Sequence, residues 1–254
     1  SETIEVWASV ESLFDEELES LLAEFTESTG IAVELVDKKG ENEILQELAE
    51  TPPEEWPDAV FAHEFVGRAM VDSERVVPPG DCESDVAERF LPVAASANTV
   101  DGQLAAVPVW MSTPLLFLDG SKLRAAEIDI SSPPSSFAEL MAWSQTLVSS
   151  GVSTHGLAFN DACGALVADH LLPAVDGVLI RPDNGRSGRG QRVAITQELV
   201  QQLADDLELL KSSVESDQSV YISPDPTGFS DLLAISDPAL DAAMAVHSSA
   251  ALQP

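Results

Sequence analysis

The sequence predicts an α/β chain of two lobes, each a mostly parallel sheet flanked by helices. Three observations carry that expectation. The first hundred residues alternate short β-branched runs with segments of helical period, the pattern of a parallel sheet covered by helices. An apolar run from Leu104 to Leu123 is then broken by Pro108 and Pro114, and proline is tolerated in a strand only where ladder pairing stops. Beyond the break the alternation restarts. At 254 residues, each lobe has enough chain to bury a core of its own.

The elements follow in order. "TIEVWAS" is a short first strand, and Ser12 caps the helix after it, with Asp15 three residues on as its capping-box partner. Leu13, Phe14, Leu18, Leu21, Leu22 and Phe25 recur at helical spacing and form the expected inner stripe. Gly30 stops the helix, and Ile31 to Val36 make the second strand. "NEILQELAET" is a second helix, ended by Pro52 and Pro53. Asp58 to His63 form a third strand, and "EFVGRAMVDSE" opens a third helix. "VDGQL" supplies an Asp-Gly turn ahead of the interrupted strand.

Between the two prolines stand Trp110, Met111, Ser112 and Thr113. A strand that leaves one lobe and enters another must bend, so this stretch reads as the crossover, its polar groups facing a cleft. The expected division is 1–108 for the first lobe, 109–118 for the hinge and 119–254 for the second lobe. In the second lobe, "SSFAELMAWSQTLVSSG" is a helix with Phe137, Leu140, Met141 and Leu147 on one stripe. "THGLAFN" is a strand, "GALVADHLLPAV" a helix, and "AITQELVQQLADDLELLKSSV" the longest amphipathic helix of the chain. "RPDNGRSGRGQR" holds Arg181, Arg186, Arg189 and Arg192, one third of all cations, in a Gly-rich stretch expected to be mobile. No internal repeat is found.

Composition excludes several functions. Twelve Lys and Arg against 44 Asp and Glu give a formal net charge of −32, which repels nucleic acid and anionic membranes. No stretch approaches the ~20 apolar residues that span a bilayer. The opening "SETIEVWAS" has no basic, apolar leader, as in a processed exported protein or a cytoplasmic one. Cys82 and Cys163 lack metal-type spacing, and two thiols are expected rather than a disulfide. "HEFVG" lacks the second histidine of a zinc-protease helix. "GRSGRG" has Arg189 where a nucleophile elbow needs glycine, and no Gly-Lys-Ser/Thr marks a phosphate loop. Neither a catalytic residue, nor a metal, nor a cofactor is expected.

The stretch "DGQLAAVPVWMSTPLLFLDGSKLRAAEID", followed by "PPSSFAELMAWSQTL", resembles the first crossover of the extracellular solute-binding proteins of bacterial ABC importers. Asp101-Gly102, Val107-Pro108, Leu118-Asp119, Pro133-Pro134 and Phe137 to Leu140 fill that family's places. "TIEVWAS", "LLAEFTESTGIAVELV", "WPDAVFA" and "DAAMAVHSSAAL" fit in the same order. "STPLLF" with "KKGENEILQEL" upstream is most similar to the glycerol-3-phosphate and glycerophosphodiester-binding branch. Two departures stand out. The branch has tyrosine after its Lys-Gly pair where this chain has Asn42. The family also returns to the first lobe after the "AAM" segment, whereas this chain ends at Pro254, which makes it a fragment, a clipped product or a shortened relative.

The resemblance implies a two-lobe periplasmic-binding-protein-like fold with an incomplete second half, placed outside the cytoplasmic membrane. The partners it implies are a small solute (a sugar, polyol or glycerophosphodiester) and an importer permease, with the chain a monomer that closes on its ligand about a hinge. Loops at the carboxyl ends of the strands would form the crevice. Those are Ser9, Val10 and Glu11; Lys39, Gly40 and Asn42; His63 and Glu64; Trp110, Ser112 and Thr113; Asn160 and Asp161; and Ser248 and Ser249. Carboxylates and amides hold vicinal hydroxyls, and an indole packs on the apolar face of a sugar. Each also has a plain structural reading. Glu64 could serve only as a helix N-terminal acid, Trp110 as a core indole, Ser112 as a hydroxyl satisfying the broken strand, and Ser249 as a helix cap. Trp7 and Trp143 are assigned to packing, and Trp56 stays open. For an anionic ligand, Lys38 and Lys39 are the only cations on a cleft loop, with the arginine stretch a rival site. A ligand-sensing module, a secreted hydrolase and a shortened chain that binds nothing remain as alternatives.

Overall fold

The computed structural model describes residues 3–8, 15–160, 178–182, 189–216, 218–223 and 230–249. By their contacts, Ser1–Val109 and Arg186–Arg189 form one unit, and Trp110–Gly185 with Gly190–Pro254 a second.

The first unit alternates as its apolar pattern dictates: β1 (Thr3–Ala8), α1 (Asp15–Thr29), β2 (Ala32–Asp37), α2 (Glu41–Glu50), β3 (Ala59–Phe61) and α3 (Glu64–Asp72). The sheet has the order β2-β1-β3 and is wholly parallel, with Trp7 beside Val36 on one side and Val60 on the other. Its core is Trp7, Ile44, Leu48 and Val66, with Val36, Leu45, Trp56, Val60 and Met70 against it. The Trp7 indole N–H is satisfied by Glu5 Oε1 at 2.7 Å, and the Lys38 ammonium lies 4.1 Å from the ring centre. Trp56, left open by the sequence, packs on this core and donates its indole N–H to the Thr51 carbonyl at 3.1 Å.

Helix α1 corrects one expectation. Leu21 is 62% and Phe25 38% exposed, whereas Leu18, Leu22 and Thr26 are half-buried. These three are spaced by four, so the face turned inward runs along that row and Leu21 and Phe25 flank it. Ser12, Leu13 and Phe14 lie outside the described residues. Gly30 ends the helix at φ 74°, its N–H donating to the Thr26 carbonyl at 2.9 Å.

Two short helices, α4 (Pro79–Cys82) and α5 (Pro92–Ala97), lead to a hairpin of β4 (Thr99–Val100) and β5 (Gln103–Leu104). Asp101 at φ 51° and Gly102 at φ 84° are both left-handed, the geometry an Asp-Gly hairpin turn needs. Residues 105–113 carry no regular strand, and the apolar run pairs only from Pro114 onward. Proline at the first position of a strand removes no donor that the ladder needs. Cys82 is an exposed free thiol, and Cys163 lies outside the described residues.

The second unit comprises β6 (Pro114–Leu118), α6 (Gly120–Ala125), α7 (Phe137–Ser149), β7 (His155–Asn160), β8 (Ile180–Arg181), β9 (Arg192–Val193), α8 (Gln197–Glu215), β10 (Val220–Ser223), α9 (Ser230–Leu233) and β11 (Ala242–Ser248). The helix expected from "GALVADHLLPAV" lies outside the described residues. The main sheet has the order β10-β7-β11-β6, with β10, β7 and β11 parallel and β6 antiparallel to β11. Ala242 to Val246 are all buried, so β11 is a central strand. Around it gather Leu123, Phe137, Met141, Leu147, Leu157, Phe159, Leu210 and Met244.

Small residues let α7 lie close on the sheet. A Cβ on Gly156 would meet the Ser144 carbonyl oxygen at 2.2 Å, and the Ser144 hydroxyl donates to the Ser219 carbonyl at 2.7 Å. Helix α7 starts at Ser136, whose Oγ accepts the Glu139 N–H at 3.2 Å, while the Glu139 carboxylate accepts the Ser135 N–H and hydroxyl at 2.7 and 2.8 Å. These bonds from Ser135 hold the Glu139 carboxyl below its ordinary pKa. Thr196 caps α8 in the same way through the Leu199 N–H at 3.2 Å.

At the ends of the arginine stretch the described residues make specific contacts, and residues 183–188 lie outside the described residues. Ile180 pairs with Val193 and Arg181 with Arg192 in a small antiparallel ladder. Arg189 belongs to the first unit, where its Nε lies 2.8 Å from Asp101 Oδ2 and its Nη2 2.5 Å from Asp72 Oδ1. A guanidinium gripped by two carboxylates keeps its proton well above the ordinary arginine range and lowers the pKa of Asp72.

Candidate functional site

The described ones among the expected site residues fall at the carboxyl ends of the parallel strands of the two sheets, and each edge belongs to its own unit. Open α/β sheets leave their ligand loops there, because each strand hands over to a helix at that end.

In the first unit, β2 ends at Asp37 and turns through Lys38, Lys39 and Gly40 into α2. Gly40 has φ 153°, a backbone that favours glycine, and this lets the chain fold directly into the helix. The Lys38 N–H donates to the Ala8 carbonyl at 2.7 Å, continuing the pairing with β1. Its ammonium sits 2.5 Å from Glu47 Oε2 beside the Trp7 ring, and its side chain is 11% exposed. Lys38 is therefore a packing cation, although the sequence offers it as an anion ligand. Lys39 is exposed, and its backbone N–H donates to Glu43 Oε2 at 2.5 Å. Asn42 is exposed on the first turn of α2.

Strand β3 hands over at His63, the N-cap residue of α3, and Glu64 is the first residue of that helix. The His63 imidazole Nδ1 lies 2.5 Å from Glu41 Oε1. His63 is the more exposed partner at 56%, against 20% for Glu41. The sequence reading passes over Glu41, because an acid in the first turn of a helix is common for dipole reasons alone. Only the fold brings it against a histidine 22 positions away. Ser9, Val10 and Glu11 lie outside the described residues.

In the second unit, residues 110–113 run into β6 opposite the end of β11. Ser248 is in register with Pro114, and proline has no N–H to offer the ladder. The next donor, the Thr113 N–H, is taken by the Ser249 hydroxyl oxygen at 3.0 Å, and the Ser249 N–H returns to the Thr113 carbonyl at 2.8 Å. This reciprocal pair extends the β6–β11 ladder past the proline. Thr113 and Ser249 are thus brought together, with Ser248 beside them at the end of β11 and Ser112 next along the crossover. Trp110, 47% exposed, begins this unit. Asn160 ends β7, paired with Ser223 at the end of β10, on the same side of the sheet. Asp161 lies outside the described residues.

Chemically, the first edge offers an amide, a carboxylate-bound imidazole and an exposed lysine. The second offers hydroxyls beside an exposed indole. Among the described residues, no group of three or more His, Cys, Asp or Glu could hold a metal ion. Nor is any helix among them long and apolar enough to cross a membrane.

Residues 20–223 match the family described as bacterial extracellular solute-binding protein. No curated protein matches the chain. Among solved structures, UgpB from Mycobacterium tuberculosis in complex with glycerophosphocholine is similar at a TM-score of 0.74 and 17% identity, covering 99% of this chain and 63% of that one. An ABC transporter solute-binding protein from Thermotoga lettingae, bound with alpha-D-tagatose, gives a TM-score of 0.70 at 17% identity, covering 98% and 62%. Another from Agrobacterium vitis, with bound D-mannitol, gives 0.64 at 15% identity, covering 99% and 59%. These likenesses establish an α/β periplasmic-binding-protein fold, and the chain spans about 60% of the length of the structures it resembles. With the family match running across most of its length, the chain belongs to the bacterial extracellular solute-binding proteins, a family of binders and not of enzymes.

Proposed function

We propose that this chain supplies the solute-capturing part of an ABC importer outside the cytoplasmic membrane, and that its solute is a small neutral polyol or sugar. The observation that carries the reading is an exposed indole, Trp110, a few residues along the chain from the hydroxyl-bearing ladder end formed by Thr113, Ser248 and Ser249. An indole face covers the C–H surface of a sugar while hydroxyl and amide groups meet its oxygens. Family membership supports the role, and solved relatives carrying tagatose and mannitol support the ligand class.

The finer choice within that class follows from charge. A glycerophosphodiester, such as the one bound by the Mycobacterium protein, needs cations or helix N-termini at its phosphate. Lys38 is engaged by Glu47 and Trp7, and Arg189 by Asp72 and Asp101. The chain as a whole carries a formal charge of −32. Solutes without a phosphate need no such cation, and so rank above phosphodiesters here.

In this reading the segment 109–118 is the hinge, and the lobes on either side close on the solute. Ligand contacts made only in the closed state shift the population toward it, and an importer permease reads the closed state. The site is formed by Lys39, Asn42, His63, Glu64, Trp110, Ser112, Thr113, Asn160, Ser248 and Ser249, together with Glu11 and Asp161. Thermal-shift screening against D-mannitol, alpha-D-tagatose, maltotriose, raffinose and glycerophosphocholine tests it, with mass analysis of the recovered ligand. A neutral sugar or polyol is expected to raise the melting temperature and to come back chemically unchanged. Turnover of any compound, or a response to glycerophosphocholine alone, overturns the assignment.

A further inference from the structure

We propose that Glu41 is a positioning residue: it fixes the tautomer of His63 so that the ring presents an acceptor nitrogen, Nε2, to a solute hydroxyl at the edge of the first sheet. The role in solute recognition rests on the function proposed above, whereas the tautomer control rests on geometry alone.

Glu41 is the first residue of α2 and His63 caps α3, so the two come from successive βα turns of one parallel sheet. Oε1 and Nδ1 lie 2.5 Å apart, within hydrogen-bond reach, and a carboxylate partner makes the bond charge-assisted. A carboxylate only accepts, so the proton must be on Nδ1. In a neutral imidazole the other nitrogen then carries the lone pair, whatever else it meets. Glu41 is the more buried of the two, and the imidazole is more than half exposed. That is the order expected of an anchor and the group it aims. Histidines bound to metals use the same device, a carboxylate on one nitrogen setting the role of the other. Here the recipient is a hydroxyl donor. A polyol suits it, because each hydroxyl brings one proton to donate and Asn42, next to Glu41 on the first turn of α2, can both accept and donate.

The test uses the whole chain in alkaline buffer, where an imidazole is neutral. Long-range ¹⁵N–¹H spectra read which nitrogen of His63 carries the proton, with the His63→Asn variant identifying the signal among the four histidines. In the unsubstituted protein His63 is expected wholly in the Nδ1–H form. Glu41→Ala is expected to give a mixture of tautomers, and Glu41→Gln, whose amide oxygen still accepts, to keep most of the Nδ1–H form. Affinity for whichever of D-mannitol, alpha-D-tagatose, maltotriose and raffinose binds most tightly is expected to fall about fivefold in Glu41→Ala and less in Glu41→Gln. An Nε2–H ring in the unsubstituted protein overturns the inference, and so does unchanged affinity in Glu41→Ala despite a lost tautomer. An Nδ1–H ring in a chain that binds none of the neutral compounds named above overturns the proposed function and the hydroxyl-binding role with it, and leaves the tautomer control standing.

Discussion

Single residues decide whether the fold holds and whether the surface it builds can bind. Gly156 is the clearest structural case. The Cβ of any side chain there meets the Ser144 carbonyl oxygen at 2.2 Å, and that oxygen belongs to helix backbone that cannot swing away. Gly156→Ala is expected to cost about 3 kcal/mol, at the upper end for overpacking a tight interface, read as a lower urea midpoint. Trp110 is the clearest functional case. Covering one sugar face would remove ~60 Å² from water, about 1.5 kcal/mol, so Trp110→Ala is expected to weaken solute binding about tenfold while the urea midpoint stays put. A large loss of stability in that variant would make the indole a core group instead. At this scale the sequence was readable for Trp7, Phe137, Met141 and Leu147, all buried as the apolar spacing implies. It was silent on Glu41 and Arg189, because their partners lie 22 and 88 or more residues away and no local pattern encodes such pairs.

Elements are held at their ends more than along their lengths. Helix α7 begins with a reciprocal arrangement of Ser135, Ser136 and Glu139, and Ser136→Ala is expected to lower stability by about 1 kcal/mol in denaturant unfolding. The crossover depends on one similar contact. One pair beyond Pro114, the Ser249 hydroxyl oxygen accepts the Thr113 N–H where a ladder would otherwise use a carbonyl. Ser249→Ala should therefore loosen residues 110–113 and weaken binding severalfold, and Ser249→Thr should restore it. Equal binding by all three proteins would remove Ser249 from the site. Strands β1, β2, β3 and β7 were legible because β-branched or apolar runs bounded by turn residues have few other solutions. The inward face of α1 was not legible. Its apolar residues cover more than one row, and only packing against the sheet selects Leu18 and Leu22 over Leu21 and Phe25.

At the scale of the molecule, charge sets the conditions under which the fold persists. A formal charge of −32 repels itself, and salt screens that repulsion over about 10 Å at 0.1 M. The melting temperature is therefore expected to rise as sodium chloride is added, and a flat response would mean that the acidic groups are too dispersed to matter. Acid adds a sharper term. Asp241 has its pKa lowered by the hydrogen bond from Lys122, with further bonds from Thr154. A carboxyl depressed in the folded state stabilises above its unfolded value near about 3.9 and loses that contribution as pH falls through the folded one. Asp241→Asn should thus flatten the fall of the urea midpoint below about pH 4, and an unchanged slope would assign the acid loss to other carboxyls. The overall architecture was legible from the order of motifs across the chain, since a βα succession interrupted by a prolined crossover restricts the choice of folds. The ligand was not, because it is recognised by loops whose directions only the fold sets.

Calorimetric titration of the chain with D-mannitol, alpha-D-tagatose, maltotriose, raffinose and glycerophosphocholine tests most directly whether it captures a neutral solute. The expected result is saturable binding of a sugar or polyol at one site per chain, with a negative heat-capacity change from apolar surface buried against the indole. Absence of saturable heat for every neutral compound would contradict it.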